Sequence, residues 1–453
     1  MHNKNILEKH RYAVLIFTLI AILSCIIFKV SLFYAFFVSI VFSTFIFVKS
    51  GFDIVELLVM VKNSLIECRQ LLILILLIAA LIPVWFSSGV IPTIMYYGFQ
   101  YMKHMNILFA TFILTSIVGV FIGSAFATIS TIGIASLGLA KAFGIPDYII
   151  LGVIVSGAFL ADKMSPISGL VNLTLTTVKT SYKNMLSSMI KILFPAYLIV
   201  GSVYFYIGQR YSLAPNSSNI NKYATAIKKS FLISPLFLLV PAIIFMLSFL
   251  GVKIVNSLSL GLIASMILSI TVQNTSISGI FVEVFTGYAA NTKYQYLNKI
   301  LVGGGIISML EVLLIMGGAI SLNSIFQGTG LIKPIVDKII STIKSKEELI
   351  IKTCAISGIS TIACDQTVGI ILPGQLLRGK YEELGVENKI LARTISDTGT
   401  IIAPLVPWNV NSLLILAVTG ISTVKYAPYA LLCYTLPIVT ILVTCIFKIK
   451  KSG

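Results

Sequence analysis

Long apolar runs separated by short polar segments dominate this chain. Runs that approach or reach bilayer-spanning length are Tyr12–Phe28, Leu32–Val48, Leu71–Trp85, Phe231–Leu250 and Ala427–Phe447. The runs are continuous, whereas the strands of a membrane β-barrel alternate apolar and polar residues. We therefore predict an all-α polytopic membrane protein with about 11–13 transmembrane helices, some of them broken or re-entrant.

The composition agrees with this prediction. Hydrophobic residues make up 57% of the chain, charged residues 11%, and the mean hydropathy is +1.00. A soluble domain carries about 25% charged residues, so an ordinary soluble domain is excluded.

The charge balance is basic, with 33 Lys and Arg against 16 Asp and Glu. The cations lie mostly in loops and tails, which indicates positive-inside topology and not nucleic-acid binding. Basic residues precede the first apolar run and follow the last one: Lys4, Lys9, Arg11, Lys448, Lys450 and Lys451. We therefore expect both termini in the cytoplasm, and the protein in the cytoplasmic membrane. The first run is long for a signal peptide and no cleavage site follows it, so we interpret it as a retained span.

Enzyme and metal chemistry find little support. Six scattered cysteines show no metal spacing, and three histidines make a His-ligated metal site improbable. Gly374–Lys380 reads G-x-x-x-x-G-K, but Tyr381 stands where a P-loop needs Ser or Thr, and there is no H-E-x-x-H. We predict no resident metal or cofactor.

The most polar continuous stretch lies near the middle of the chain. Arg210–Lys229 is interpreted as a surface loop between two halves, and Asp53–Arg69 and Gly279–Lys299 as interfacial amphipathic connections. The predicted divisions are 1–50 (N-terminal helices), 51–209 (first repeat), 210–229 (polar loop), 230–447 (second repeat) and 448–453 (basic tail).

Small-residue and Pro-containing features recur in the two halves. Ala403-Pro404 lies 238 positions after Ser165-Pro166, since 403 − 165 = 238. Thr361 lies the same number of positions after Gly123, since 361 − 123 = 238. A constant offset is typical of a duplicated transporter fold with its site where the repeats meet. An odd number of spans between the copies would make them inverted.

Two interruptions of apolar sequence lie in the first half. In Ser87–Gly98, Gly89 and Pro92 end a span, at either a plain helix terminus or a re-entrant turn. In Gly123–Gly133, hydroxyls including Thr128 and Thr131 fall on more than one helical face, so at least one should face protein or water. Small residues that merely let helices pack closely are an equal alternative.

A third interruption, Gly157–Asn172, contains charge and a proline. Asp162, Ser165, Ser168 and Asn172 are spaced to share a helical face, but Pro166 predicts a break. A broken helix frees carbonyl oxygens, which with carboxylates and hydroxyls suit Na⁺. We expect Lys163 to pair elsewhere or to snorkel, and a helix end emerging into water is the alternative interpretation.

The fourth interruption, Ile359–Ser412, is the richest in polar residues. Asp365 lies within an apolar run, and Asp397, Thr400 and Asn409 follow in a segment too broken to cross a membrane as one helix. This profile is typical of a re-entrant element that lines a cavity.

Three carboxylates, Asp162, Asp365 and Asp397, are our candidates for proton coupling. Desolvation favours the protonated carboxyl, so such a group can trade a proton for a cation. Glu311 is a fourth candidate, with a structural hydrogen bond as the alternative. We expect Asp397→Asn to abolish exchange and leave the protein folded.

These motifs resemble the NhaC family of Na⁺/H⁺ antiporters, in the ion transporter superfamily, over roughly Asp53 to Pro437. The most specific match is Asp397-x-Gly399-Thr400-x-x-x-Pro404-Leu405-x-Pro407-Trp408-Asn409. Asp365-Gln366 and Asp162-x-x-Ser165-Pro166-x-Ser168 also fit. Gly169 departs from the family pattern, which has a second Asp there.

The resemblance implies a secondary antiporter that exchanges Na⁺ for H⁺ across the membrane, with lipid around it. The alternative is a Na⁺- or H⁺-coupled exchanger of a small organic acid, such as malate or lactate, or of an amino acid. A homodimer is a candidate assembly.

Overall fold

The computed structural model describes residues 4–102, 105–212, 217–298 and 300–446. The helices of the first half are α1 (Lys4–Ile27), α2 (Leu32–Lys49), α3 (Ile54–Glu67), α4 (Arg69–Ser87), α5 (Val90–Met102), α6 (Ile107–Ile122), α7 (Ala125–Thr128), α8 (Ile134–Ala142), α9 (Asp147–Ala158), α10 (Leu160–Met164), α11 (Gly169–Val178) and α12 (Tyr182–Ser212). The remaining helices are α13 (Ser217–Ser230), α14 (Leu239–Phe249), α15 (Ile254–Thr271), α16 (Ile277–Thr286), α17 (Gln295–Asn298), α18 (Leu310–Gly328), α19 (Lys333–Ser341), α20 (Lys346–Ala363), α21 (Gln366–Glu383), α22 (Asn388–Ile395), α23 (Val410–Thr419), α24 (Thr423–Tyr426) and α25 (Leu431–Ile446).

Short elements complete the fold. In the part of the chain that the structure describes, two are π-helical turns, Ile129–Gly133 and Ser396–Thr400. Four are 3₁₀ turns: Pro235–Leu238, Ile307–Met309, Ala403–Leu405 and Ala427–Tyr429. Strands β1 (Tyr288–Ala289) and β2 (Val302–Gly303) pair antiparallel, with Tyr288 opposite Gly303.

The prediction of an all-α membrane protein with broken helices is confirmed. Within the described residues, six helices are long and apolar enough to cross a membrane, and four bent pairs raise the number to ten if each pair forms one span. Two of these pairs, Asp147–Met164 with Gly169–Val178 and Asn388–Leu405 with Val410–Thr419, bend by 42° and 44°. The number of 11–13 stays a prediction, because it depends on three shorter apolar helices.

The later helices of the two halves recur at one offset in the numbering. The starts of α4 and α18 give 310 − 69 = 241, and the starts of α7 and α21 give 366 − 125 = 241. Helices α11 and α23 repeat this offset at both ends, since 410 − 169 and 419 − 178 are both 241. The offset of 238 from the sequence therefore differs from the offset of the helices by three. Small-residue motifs align loosely, whereas helix ends fix the register.

The first helices recur at a smaller offset. The starts of α2 and α15 give 254 − 32 = 222, and their ends give 271 − 49 = 222. The two offsets differ by the extra chain around the β1–β2 hairpin, and within the described residues only the second half contains such a hairpin. Each half also packs on the other, because α4 contacts α15 and α16 while α18 contacts α2 and α3. Thus α2, which the sequence assigned to a separate N-terminal segment, has a counterpart in the second half.

The added hairpin region satisfies a defect in α4. Pro83 lies inside α4 and has no N–H to donate to the carbonyl of Ala79, four residues earlier. The N–H of Gly305 donates to that carbonyl at 2.8 Å. Gly304 has φ +76°, and a Cβ at that position would collide with the Pro83 ring. Glycine is needed here because two backbones approach closely.

The polar connection differs from its prediction as a loop. Helix α12 continues to Ser212 and α13 occupies Ser217–Ser230, so most of 210–229 is helical. Its Lys and Asn residues are spaced around apolar positions such as Ala226 and Ile227, which are buried. Polar composition suggested a loop, but helical periodicity decides the conformation. The predicted basic tail, 448–453, lies outside the described residues.

Candidate functional site

Two helix breaks cross in the first half. The first lies between α6 and α7, where Gly123 has φ +75° and Ser124 caps α7 by accepting from the N–H of Ala127. The second lies between α10 and α11, where Ser165 is extended before Pro166. The Ser165 hydroxyl donates to the carbonyl of Val120 near the end of α6, at 2.6 Å. The predicted interruption at Pro166 is therefore confirmed, and it lies against the interruption at Gly123.

Asp162 joins these two breaks. Its Oδ1 accepts from the N–H of Ala125 at 3.3 Å, at the beginning of α7. The side chain is partly buried and forms no ion pair with any residue that the structure describes. A carboxylate without a counter-ion at such a position is able to bind a proton or a cation.

The same arrangement occurs in the second half. Asp365 follows the end of α20 and caps α21, its Oδ1 accepting from the N–H of Val368 at 2.8 Å. Asn409 caps α23, and its Nδ2 donates to the carbonyl of Thr361 at 3.2 Å. Thr361 is the counterpart of Val120, because 361 − 120 equals the helix offset of 241. In each half, therefore, a side chain at one helix break donates to a carbonyl of the helix before the other break. Ser165 donates to Val120 in the first half, and Asn409 donates to Thr361 in the second.

A buried ion pair joins the two halves. Lys163 donates to Oδ1 of Asp397, and neither side chain is exposed. Oδ2 of Asp397 accepts from the Thr440 hydroxyl at 2.8 Å and lies 3.7 Å from Nε of Arg393. The expectation that Lys163 pairs elsewhere is confirmed. Asp397 thus has both oxygens engaged in this conformation, unlike Asp162.

The π-helical turn Ser396–Thr400 connects this ion pair to the second crossing. Nε2 of Gln366 donates to the carbonyl of Thr400 at 2.6 Å, and Nδ2 of Asn411 donates to Oε1 of Gln366 at 3.0 Å. The Thr400 hydroxyl is buried and has no hydrogen-bond partner among the described residues. A buried hydroxyl without a partner is costly, which makes it a candidate ligand for a cargo ion.

Other predicted site residues are engaged locally. The hydroxyls of Thr128 and Thr131 donate to carbonyls one turn earlier, at 2.9 and 2.7 Å. Ser168 caps α11, and Nδ2 of Asn172 donates to the Ser168 carbonyl at 3.0 Å. Glu311 is exposed at the start of α18. These contacts leave acceptor lone pairs on the hydroxyls, so a role as ligands stays a prediction for these residues.

Several residues of the site were not predicted from the sequence as site residues. They are Ser124, Lys163, Arg393, Asn411 and Thr440, and Gln366 was noted only as a motif neighbour. The spacing of four between Arg393 and Asp397 is a helical signal that was available. Thr440 lies inside an apolar run, and nothing local distinguishes it.

Space is present beside the second crossing. A cavity of about 260 Å³ is lined by Cys364 and Val368 on either side of Asp365, and by residues of α18 and α19 such as Phe326 and Lys333. Over the described ranges, no group of three or more His, Cys, Asp or Glu side chains could hold a metal ion. The oxygens near the breaks come instead from single carboxylates, hydroxyls and backbone.

Comparisons with known proteins agree with this architecture. A family model described as the Na⁺/H⁺ antiporter family matches residues 169–447. The Na⁺/H⁺ antiporter NhaC of Bacillus subtilis (strain 168) is 29% identical over 86% of this chain and 85% of its own length. The Na⁺/H⁺ antiporter NhaC of Alkalihalophilus pseudofirmus is 29% identical over 81% of this chain and 79% of its own. A malate-2H⁺/Na⁺-lactate antiporter of Bacillus subtilis (strain 168) is 26% identical over 87% of this chain and 85% of its own.

Proposed function

This chain belongs to the Na⁺/H⁺ antiporter family, and we propose that it is a secondary antiporter that exchanges Na⁺ for H⁺ across the cytoplasmic membrane. It is a transporter and not an enzyme. The observation that carries the proposal is the family match over the segment that contains Asp365, Asp397 and the second helix crossing.

Asp162 and Asp365 are the proposed exchange sites. Each lies at a helix break, caps or approaches a helix N-terminus, and has no cationic partner among the residues described. A proton or a Na⁺ ion neutralises the same carboxylate, so the two ions compete, and competition for one site produces antiport. Thr400 and the hydroxyls of Ser165, Ser168, Thr128 and Thr131, together with Asn172 and Asn409, are proposed to complete the oxygen shell.

Asp397 is proposed to act differently from the other two carboxylates in this conformation. Its charge is balanced by Lys163, which directly follows Asp162 in α10. Movement of α10 when Asp162 exchanges its ion would therefore strain or break the pair. Proton coupling at Asp397 then requires that Lys163 first leave it.

The proposal is tested in everted membrane vesicles that contain the protein and a pH-sensitive dye. After acidification of the lumen, added Na⁺ should release protons, and Li⁺ should be compared with it. Vesicles from cells that lack the protein are the control. A dye signal that does not respond to Na⁺ or Li⁺ would contradict Na⁺/H⁺ exchange.

A second candidate function keeps the fold and changes the cargo to a small organic acid or an amino acid. The similarity to a malate-2H⁺/Na⁺-lactate antiporter favours it. Gly169 stands where the family pattern has a second Asp, and the smaller negative charge favours an organic anion or a zwitterion over Na⁺. In the same vesicles, a response to malate, lactate or an amino acid but not to Na⁺ alone would support this alternative.

The wider organisation belongs to the same proposal. The matching helix bounds support two repeats, 51–209 and 230–447, with α2 added to the first, around a connection at 210–229. We propose that the repeats are inverted, that both termini are cytoplasmic, and that Na⁺, H⁺ and the bilayer are the partners. Neither a resident cofactor nor nucleic acid is proposed, and a homodimer is kept as the assembly to test.

A further inference from the structure

Helix α13 lies nearly perpendicular to the apolar segment that follows it. Its segment Asn221–Ser230 makes an angle of 93° with the following apolar segment, Pro235–Ile244. Ala226 and Ile227 are buried, while Lys222, Lys228 and Lys229 are exposed. A helix with an apolar buried face and a basic exposed face is typical of the lipid–water interface.

Aromatic side chains surround this helix. Tyr223 packs edge-on against Tyr296 with ring centroids 5.0 Å apart, and Lys222 Nζ lies 4.7 Å from the Tyr296 ring centroid. Phe99 of α5 lies 6.2 Å from Tyr223 between centroids. Tyr101, near the end of α5, is 73% exposed. Tyrosines concentrate at the headgroup level of membranes, so this cluster agrees with an interfacial position.

A cavity of about 800 Å³ opens between α5 and α13. Its lining comes from both helices: Tyr96, Phe99 and Gln100 of α5, and Asn221, Ala224, Thr225, Lys228 and Lys229 of α13. Nε2 of Gln100 donates to the Tyr96 hydroxyl at 2.9 Å, which holds the two side chains together at the cavity wall. Such a cavity offers two ammonium groups and several hydrogen-bond donors, together with the apolar side chains of Phe99 and Ala224.

No acidic residue neutralises these lysines along the chain. The sequence contains no Asp or Glu between Asp162 and Glu283, nor between Glu67 and Asp147, and these two stretches supply the whole lining. Neither Lys228 nor Lys229 forms an ion pair within the described part of the chain. Two adjacent unpaired cations attract a negatively charged group.

We propose that this cavity binds the headgroup of an anionic phospholipid from the bilayer that surrounds the protein. Lys228 and Lys229 contact the phosphate, Asn221, Thr225 and Gln100 donate to its oxygens or to the glycerol, and the acyl chains follow the apolar surface below Phe99. The charge, the aromatic surroundings and the angle of α13 all favour a lipid over a soluble anion.

Native mass spectrometry of the full-length protein, released from detergent, tests the proposal. Dioleoylphosphatidylglycerol is titrated against the wild type and against Lys228→Gln/Lys229→Gln. Each lysine near a membrane surface contributes ~1 kcal/mol, and 1.4 kcal/mol corresponds to about tenfold in affinity. The double variant should therefore bind the first, highest-affinity lipid molecule about 30-fold more weakly than the wild type. The matched control is Lys253→Gln/Lys338→Gln, which removes the same charge from exposed lysines outside the cavity and should leave this affinity within about twofold.

Three further measurements separate the lipid from other occupants. Dioleoylphosphatidylcholine should bind at least tenfold more weakly than the anionic lipid, and inorganic phosphate should not displace the anionic lipid at equal concentration. Equal affinity of the wild type and the double variant for phosphatidylglycerol would overturn the proposal. Displacement of the anionic lipid by phosphate would also overturn it. So would a double variant that no longer dimerises but still binds the lipid as the wild type does. None of these measurements depends on antiport.

Discussion

Lys163 and Asp397 stand 234 residues apart in the chain and form an ion pair with no exposed side-chain surface. The pair joins α10 of the first half to the π-helical turn Ser396–Thr400 of the second half. Arg393 lies near the same carboxylate, so two cations share one anion. This asymmetry decides how each partner responds to mutation.

We expect Asp397→Asn to destabilise the protein more than Lys163→Met does. Removal of the carboxylate leaves Lys163 and Arg393 close together without a counter-ion, and breaking a buried pair in this way costs about 3–5 kcal/mol. Removal of Lys163 leaves Asp397 with Arg393 and Thr440. Thermal unfolding of the purified variants in detergent measures the difference.

The double variant Lys163→Met/Asp397→Asn is the control for this prediction. It should be more stable than Asp397→Asn alone, because no unpaired lysine remains. A lower unfolding midpoint for the double variant than for Asp397→Asn would refute the charge argument. The sequence alone predicts that Asp397→Asn stays folded, and the buried pair is the reason to expect otherwise.

Asp365→Asn should separate charge from helix capping. Asn is as good an N-cap as Asp, so α21 keeps its bond from the N–H of Val368 while the negative charge is lost. We expect exchange to fall about tenfold or more, with less than about 1 kcal/mol lost in stability. Asp162→Asn should behave alike, because its amide oxygen still accepts from Ala125. Dye-monitored exchange in vesicles and unfolding midpoints measure the two effects.

Asp53→Asn is the matched control. Asp53 also caps a helix, accepting from the N–H of Val55 at 3.1 Å, but it is exposed at the start of α3. Exchange by this variant should equal that of the wild type. Full exchange by both Asp162→Asn and Asp365→Asn would remove these carboxylates from the proposed mechanism.

Thr400→Val should weaken the apparent affinity for Na⁺. Its buried hydroxyl has no partner among the described residues, so it is free to act as the cargo-ion ligand that we propose. Losing one neutral oxygen ligand costs about 1–2 kcal/mol, or roughly tenfold in the Na⁺ concentration for half-maximal exchange. Thr398→Val is the control, because that hydroxyl already donates to the Thr394 carbonyl at 2.7 Å. Equal affinities in the two variants would contradict a ligand role for Thr400.

Gly304→Ala should lower the stability of the contact between the hairpin region and α4. The new Cβ would meet the Pro83 ring, and the shift would lengthen the neighbouring bond from Gly305 to the Ala79 carbonyl. We expect a loss of about 1–3 kcal/mol beyond the cost of positive φ. Gly251→Ala isolates that cost, since Gly251 has φ +83° and no atom within 4 Å of its Cβ position. Unfolding midpoints that fall equally in both variants would exclude the packing argument.

The sequence by itself determined the membrane class, the break at Pro166, the broken segment from Asp397 to Asn409, and the carboxylates within apolar sequence. Apolar runs of bilayer length specify helices because lipid offers no hydrogen bonds to the backbone. Pro166 predicts a break through local sterics, which need no knowledge of neighbours, whereas the break at Gly123 was found only in the structure. For this reason Asp162, Asp365 and Asp397 were found from the sequence.

The tertiary structure alone decided which groups meet. Lys163 and Asp397 pair although they are far apart in the chain, and Thr440 completes the contact from within an apolar run, which no local pattern reveals. The offset in numbering between corresponding positions of the two halves could be fixed only from the ends of the helices, because small residues occur too often in both halves to align them. Contacts between distant segments depend on how helices pack, and packing is set by the shape of whole surfaces rather than by any short stretch of sequence.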